Sequence, residues 1–140
     1  MELYKKLHIA MKEGLVKSCH DLSDGGLAVA VAESAFGGQL GAELNLDSMP
    51  FDSNEEKDDK FLKEPTRLLF SETPSRFVVS IAAVDKTRFE ELLEGTETAE
   101  LGKVTGSISS IDNKLRILKD GSICMETGIK EIENAWKSFK

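Results

Sequence analysis

The sequence predicts an α+β domain, a mixed β-sheet covered by helices. Three observations point there. Helical and strand-like segments are mixed along the chain in the order α, β, α, β, loop, β, α, β, β, α. Turn signals of hairpin length join some of the strands. The 140 residues are the size of one domain with one hydrophobic core, so residues 1–140 are expected to form a single unit, and no internal repeat is visible.

Residues 2–13 carry Leu3, Leu7 and Ala10 or Met11 at helical spacing with lysines between them, and Gly14 is a stop. Leu15 to His20 reads as a short strand, followed by the turn-rich run Asp21-Leu22-Ser23-Asp24-Gly25-Gly26. Leu27 to Phe36 is a helix that is apolar nearly all round, hence buried on most sides, and Gly37-Gly38 ends it. In residues 39–46, Leu40, Ala42, Leu44 and Leu46 alternate with polar residues or glycine, the pattern of a half-buried strand. Residues 47–64, with Asp52, Glu55, Glu56, Asp58 and Asp59, are expected to be a solvated surface excursion with one helical turn near Asp59–Lys63.

Leu68-Leu69-Phe70 precedes a second turn-rich run, Ser71-Glu72-Thr73-Pro74-Ser75-Arg76. Phe77 to Ala82 is β-branched and apolar, a central strand. Asp85 to Leu93 is a helix with Asp85 as N-cap and Phe89, Leu92 and Leu93 facing inward. A strand follows over 100–106. Segments 107–111 and 115–118 then flank a hairpin tip at Asp112-Asn113, and Asp120-Gly121 is a further turn. A closing helix over 129–139 aligns Ile129, Ile132, Trp136 and Phe139.

Composition removes several functions. The net charge of −7 repels a phosphate backbone, which argues against nucleic-acid binding but leaves room for a local phosphate site made of backbone N–H groups. Cys19 and Cys124 have neither a disulfide framework nor metal-ligand spacing and are expected to be free thiols. No apolar run reaches the about 20 residues that span a bilayer. With no signal-peptide pattern after Met1, a cytoplasmic location without membrane contact is expected.

Two runs can carry chemistry. In His20 to Leu27 a strand ends, acids and a serine follow, and two glycines open a helix whose first N–H groups have no partner within the helix. Glycines admit a phosphate close to the backbone, Ser23 can bond a phosphate oxygen, and Asp21 or Asp24 can hold magnesium beside it. The competing reading is plain helix capping by Ser23 or Asp24. His20 beside acids suggests a general base, but with no nucleophile paired to it, a ring bonded to the neighbouring turn fits better. In the second run, Glu72 can ligate a metal or accept from a ribose hydroxyl and Arg76 can pair with a phosphate. Against that stands a proline turn entering a strand.

The stretch Ser18-Cys19-His20-Asp21-Leu22-Ser23-Asp24-Gly25-Gly26-Leu27-Ala28-Val29-Ala30-Val31-Ala32-Glu33-Ser34-Ala35-Phe36 resembles the signature of the last domain of the phosphoribosylformylglycinamidine synthase family. Leu69 to Phe77 also resembles that domain, and the two motifs stand in the expected order. Aminoimidazole ribonucleotide synthetase, selenophosphate synthetase and thiamine-monophosphate kinase share the fold with other versions of the glycine motif. The alternatives are therefore another member of that superfamily, or a structural domain without ligand binding.

The resemblance implies an AIR synthase C-terminal domain-like fold. It implies an ATP-dependent carbon–nitrogen ligase of purine biosynthesis that makes the amidine from formylglycinamide ribonucleotide with glutamine-derived ammonia. Its cofactors would be Mg2+ and ATP, or a structural ADP, completed by an N-terminal-type domain. Its partners would be the remaining domains of the same synthase and a glutaminase subunit or domain. Carried over by position, Asp21 matches a metal ligand, and Ser23, Gly25 and Gly26 a nucleotide-binding element. Ser71 and Glu72 match a substrate-binding element, although Glu72-Thr73-Pro74 departs from the family wording. The family's catalytic histidine lies in the N-terminal-type domain, so no catalytic residue is expected here. The chain is expected to be a fragment of a larger synthase and inactive alone.

Overall fold

The computed structural model describes residues 2–50 and 64–138. Residues 51–63 of the expected excursion, including its helical turn, therefore lie outside the described residues, as does Phe139. The elements run α1 (Glu2–Lys12), β1 (Val16–Asp21), α2 (Gly26–Gly38), β2 (Gly41–Asn45), α3 (Pro65–Phe70), β3 (Phe77–Ile81), α4 (Lys86–Leu92), β4 (Gly102–Thr105), β5 (Lys114–Lys119), β6 (Ser122–Gly128) and α5 (Ile129–Ser138).

The strands divide between two sheets. β1 and β3 form an antiparallel pair, and the other four form a mixed sheet in the order β4-β2-β5-β6. Among the described residues only the β2–β5 pairing is parallel. The fold is thus α+β with a mixed sheet and covering helices, as the interleaved pattern predicts. β3 is not central, however. Among the described residues it pairs with β1 alone, and its residues are half-buried.

α2 packs against β1, β2, α3 and α5. Its apolar circumference is explained by this, because Leu27, Ala28, Ala30, Val31 and Ala35 meet Leu44, Leu46, Leu68, Leu69, Leu115, Ile117 and Ile129 in one cluster. Leu27, Leu46, Leu115 and Ile117 are each under 2% exposed. Full burial of such side chains stabilises by about 1.5–3 kcal/mol apiece, which fixes the start of α2 firmly in the core. A second cluster of Ala10, Leu15, Phe89 and Leu93 lets α1 and α4 cover the β1–β3 pair through Val79 and Ile81.

Several local expectations need correction. The hairpin tip at Asp112-Asn113 is not one. Segment 107–111 is not a strand, and Asn113 is buried, its amide nitrogen donating to the carbonyls of Gln39 at 2.9 Å and Ser107 at 2.7 Å. The hairpin is β5–β6, turned by Asp120-Gly121, both at positive φ. β6 and the short helix α3 were not anticipated. α3 starts with Pro65 in its first turn, where a missing N–H costs nothing. Asp85 does stand at the N-cap of α4 but makes no side-chain capping bond, and it faces Lys17 at 3.7 Å instead.

Candidate functional site

The antiparallel register of β1 and β3 builds the site. It opposes Asp21 to Phe77 and continues with the Leu22 N–H donating to the Arg76 carbonyl at 3.0 Å. The exit of one strand therefore lies beside the entry of the other, and the two turn-rich runs become neighbours. They touch at the start of α2, where the Gly25 N–H donates to Glu72 Oε1 at 2.7 Å. Gly25 and Gly26 have φ of +78° and +63°, a conformation glycine adopts without strain. A Cβ on Gly26 would stand 2.7 Å from the Leu69 carbonyl oxygen and 2.8 Å from that of Ser71. In this structure the missing side chain makes room for the protein's own backbone.

Asp21, Ser23 and Asp24 are exposed around the turn. Ser23 Oγ donates to Asp21 Oδ2 at 2.5 Å, and this bond above all holds the Asp21 carboxyl below its ordinary range. Neither Ser23 nor Asp24 caps the helix: its N-cap is Gly25, which has no side chain to offer. The capping alternative fails in its simple form, and the carboxylate at the helix start comes from Glu72, 47 residues away in sequence.

His20 is bonded at both ring nitrogens, Nδ1 to the Asp21 carbonyl at 2.7 Å and Nε2 to Glu33 Oε2 at 2.8 Å. Both partners are acceptors, so the doubly protonated ring satisfies them together. The Asp21 carbonyl first, and then Glu33, hold the imidazole above its ordinary pKa, although burial pulls the other way. Glu33 also accepts from Trp136 Nε1 at 3.1 Å, tying α5 into the same network. Glu33 escaped the sequence reading, although its being the single charged residue of α2 was a visible signal.

In the second run, Arg76 bonds inward. Its Nη2 donates to the Ser71 carbonyl and, at 3.0 Å, to Ser71 Oγ, while its Nε is buried without a hydrogen-bond partner. Desolvation lowers the guanidinium pKa. Ser75 Oγ meets the Tyr4 hydroxyl at 3.0 Å, and Tyr4 stacks edge-on to Phe77. Ser71, Glu72 and Arg76 thus all have partners inside the domain. The arrangement offers two exposed carboxylates, Asp21 and Asp24, beside a glycine turn at a helix start, with Asp21 oriented by Ser23. No group of three or more histidines, cysteines or acids that could hold a metal occurs among the described residues.

Comparison with known proteins gives a consistent picture. The family model described as AIR synthase related protein, C-terminal domain, matches residues 2–112. The phosphoribosylformylglycinamidine synthase subunit PurL of Lactobacillus helveticus (strain DPC 4571) is 40% identical over 133 residues, covering 95% of this chain and 15% of that protein. Its counterpart from Lactobacillus acidophilus is 38% identical over 132 residues, covering 94% of this chain and again 15% of the relative. The chain therefore spans about a seventh of the length of these relatives. Among solved structures, T. maritima PurL complexed with ATP is similar at a TM-score of 0.74 and 23% identity, over 94% of this chain and 21% of that one. T. maritima PurL complexed with FGAR gives the same TM-score and identity over 94% of this chain and 20% of that one. At that identity the likeness is one of fold.

Proposed function

The chain belongs to the AIR synthase related protein, C-terminal domain family, and on that premise we propose that it is the last domain of a phosphoribosylformylglycinamidine synthase. In this reading it serves an ATP-dependent carbon–nitrogen ligase of purine biosynthesis in the cytoplasm, beside the synthase's other domains and a glutaminase partner. Its own contribution is one wall of a nucleotide site. The observation that carries the reading is the convergence of the two motifs on a single turn, with Asp21 open to an incoming ligand.

The residues fit such a ligand in part. Magnesium takes oxygen ligands and is commonly held by one or two carboxylates together with phosphate oxygens and water. Asp21 fits as one of these carboxylates, and the remaining ligands would come from the nucleotide and from another domain. Magnesium supplies neutralisation of phosphate charge. The chain's residues supply position: Ser23 orients Asp21, the first amides of α2 face the phosphates, and the core holds that helix end still. Gly25 and Gly26 serve by the turn they permit. Ser71 is bonded to Arg76 and the exposed Glu72 to the Gly25 N–H, which favours a supporting role for their loop over contact with substrate.

The test uses the 140-residue chain itself. With formylglycinamide ribonucleotide, ATP, magnesium and ammonia it is expected to release no phosphate above background. Mg–ATP is expected to shift the amide resonances of residues 21–26, and Asp21→Asn to abolish those shifts. Turnover by the chain alone would overturn its reading as a partial site. Resonances left unchanged both in the unsubstituted protein and after removal of the Glu72 carboxylate by Glu72→Ala would overturn the nucleotide assignment.

A further inference from the structure

We infer that Glu72 is an internal competitor for the phosphate position, so that nucleotide enters this site only as the Glu72 carboxylate leaves it. The inference rests on the reading that phosphate approaches the start of α2. An amide at a helix start attracts one anion at short range, and here an anion is already seated: Glu72 Oε1 accepts from the Gly25 N–H at 2.7 Å. The contact joins two separate elements and does not follow from the helix itself.

Its surroundings suit a releasable plug. The backbone that carries Glu72 is fixed, because Arg76 grips the Ser71 carbonyl and hydroxyl and the Leu69–Ser71 backbone abuts Gly26. The Glu72 side chain, in contrast, is exposed, and among the described residues it has no ion-pair partner. Rotation of that side chain alone uncovers the Gly25 amide without moving the loop. While it stays, its charge adds to those of Asp21 and Asp24 around the turn, and together they repel a phosphate that arrives without a cation. Displacement becomes favourable once magnesium accompanies the phosphate, so the plug selects the metal complex over the bare nucleotide.

The experiment titrates Mg–ATP and metal-free ATP into the full chain and into Glu72→Ala and Glu72→Gln, following the Gly25 amide by 1H–15N correlation. Glu72→Ala removes the competitor and Glu72→Gln removes only its charge. The expected result is binding of Mg–ATP about tenfold tighter in Glu72→Ala, a smaller gain in Glu72→Gln, and the largest relative gain for metal-free ATP. If the unsubstituted chain binds and neither variant binds more tightly, the competition is refuted and the nucleotide reading stands. If no protein binds either form, both fall together. Binding by the variants alone supports both.

Discussion

Substituting Gly26 with alanine tests the geometry on which the site depends. The residue sits at φ +63°, where an L side chain costs about 1–2 kcal/mol. The new Cβ would stand 2.7 Å and 2.8 Å from two backbone carbonyl oxygens, and backbone yields less readily than a flexible side chain. Overpacking of this kind costs about 1–3 kcal/mol more. The sum is about 2–5 kcal/mol, a large part of the about 5–15 kcal/mol that holds a domain folded. For a chain of this size, at about 3–4 °C per kcal/mol, that corresponds to a fall in melting temperature of about 6–20 °C, read by differential scanning calorimetry. Gly37→Ala is the control. It lies in the same helix with nothing within 4 Å of the added atom and no positive φ, so it should stabilise by about 0.5–1 kcal/mol. A melting temperature for Gly26→Ala within about 3 °C of the unsubstituted chain would refute the claim that this glycine is required by close backbone approach.

Two further outcomes follow from named contacts. Asn113→Ala removes a buried amide that donates to the carbonyls of Gln39 and Ser107, and urea unfolding should show a loss of about 1–3 kcal/mol, whereas an exposed hairpin tip would lose almost nothing. The pKa of His20 is raised in the folded state, so its contribution is complete below the ordinary value of 6.5 and disappears as pH rises through the folded value. The difference in melting temperature between the unsubstituted chain and His20→Gln should therefore shrink from about pH 5.5 to about pH 9, and a difference independent of pH would refute the imidazolium assignment.

The parts of the fold that could be read from the sequence were those in which periodicity and burial agree. α2 is apolar nearly all round and is enclosed on several sides. β2 alternates, with Leu44 buried and Ala42 packed on the same core, the buried Leu46 follows just beyond the strand, and α4 turns Phe89 inward. Failures occurred where a tertiary partner decides the structure. β3 has the β-branched composition of a central strand, but among the described residues only β1 pairs with it, and its partial burial comes from the cluster under α1 and α4 and, through Val78, from the main core around α2. Asp112-Asn113 has turn chemistry, yet Asn113 turns inward because the Gln39 and Ser107 carbonyls need a donor. β6 reads as polar because it lies at the edge of its sheet, with Ser122, Cys124 and Glu126 exposed.

The site shows the same division more sharply. Asp21, Ser23 and the glycine pair can be picked out locally, because a strand followed by acids and glycines at a helix start limits the chemistry. Glu72 can be picked out as a residue but not as a contact. Its meeting with Gly25 depends on the register that opposes Asp21 to Phe77, and a one-residue slip would turn alternate side chains to the other face. That register is set by residues with no part in ligand chemistry, among them Val79 and Ile81 against the second apolar cluster. The polarity of the site therefore follows from packing: the same strand pair that leaves the Asp21 carboxylate exposed also delivers the Glu72 carboxylate onto the Gly25 amide. A reading based on motifs alone counts both runs as attractive to ligand, whereas the Gly25–Glu72 bond ties the second run to the first.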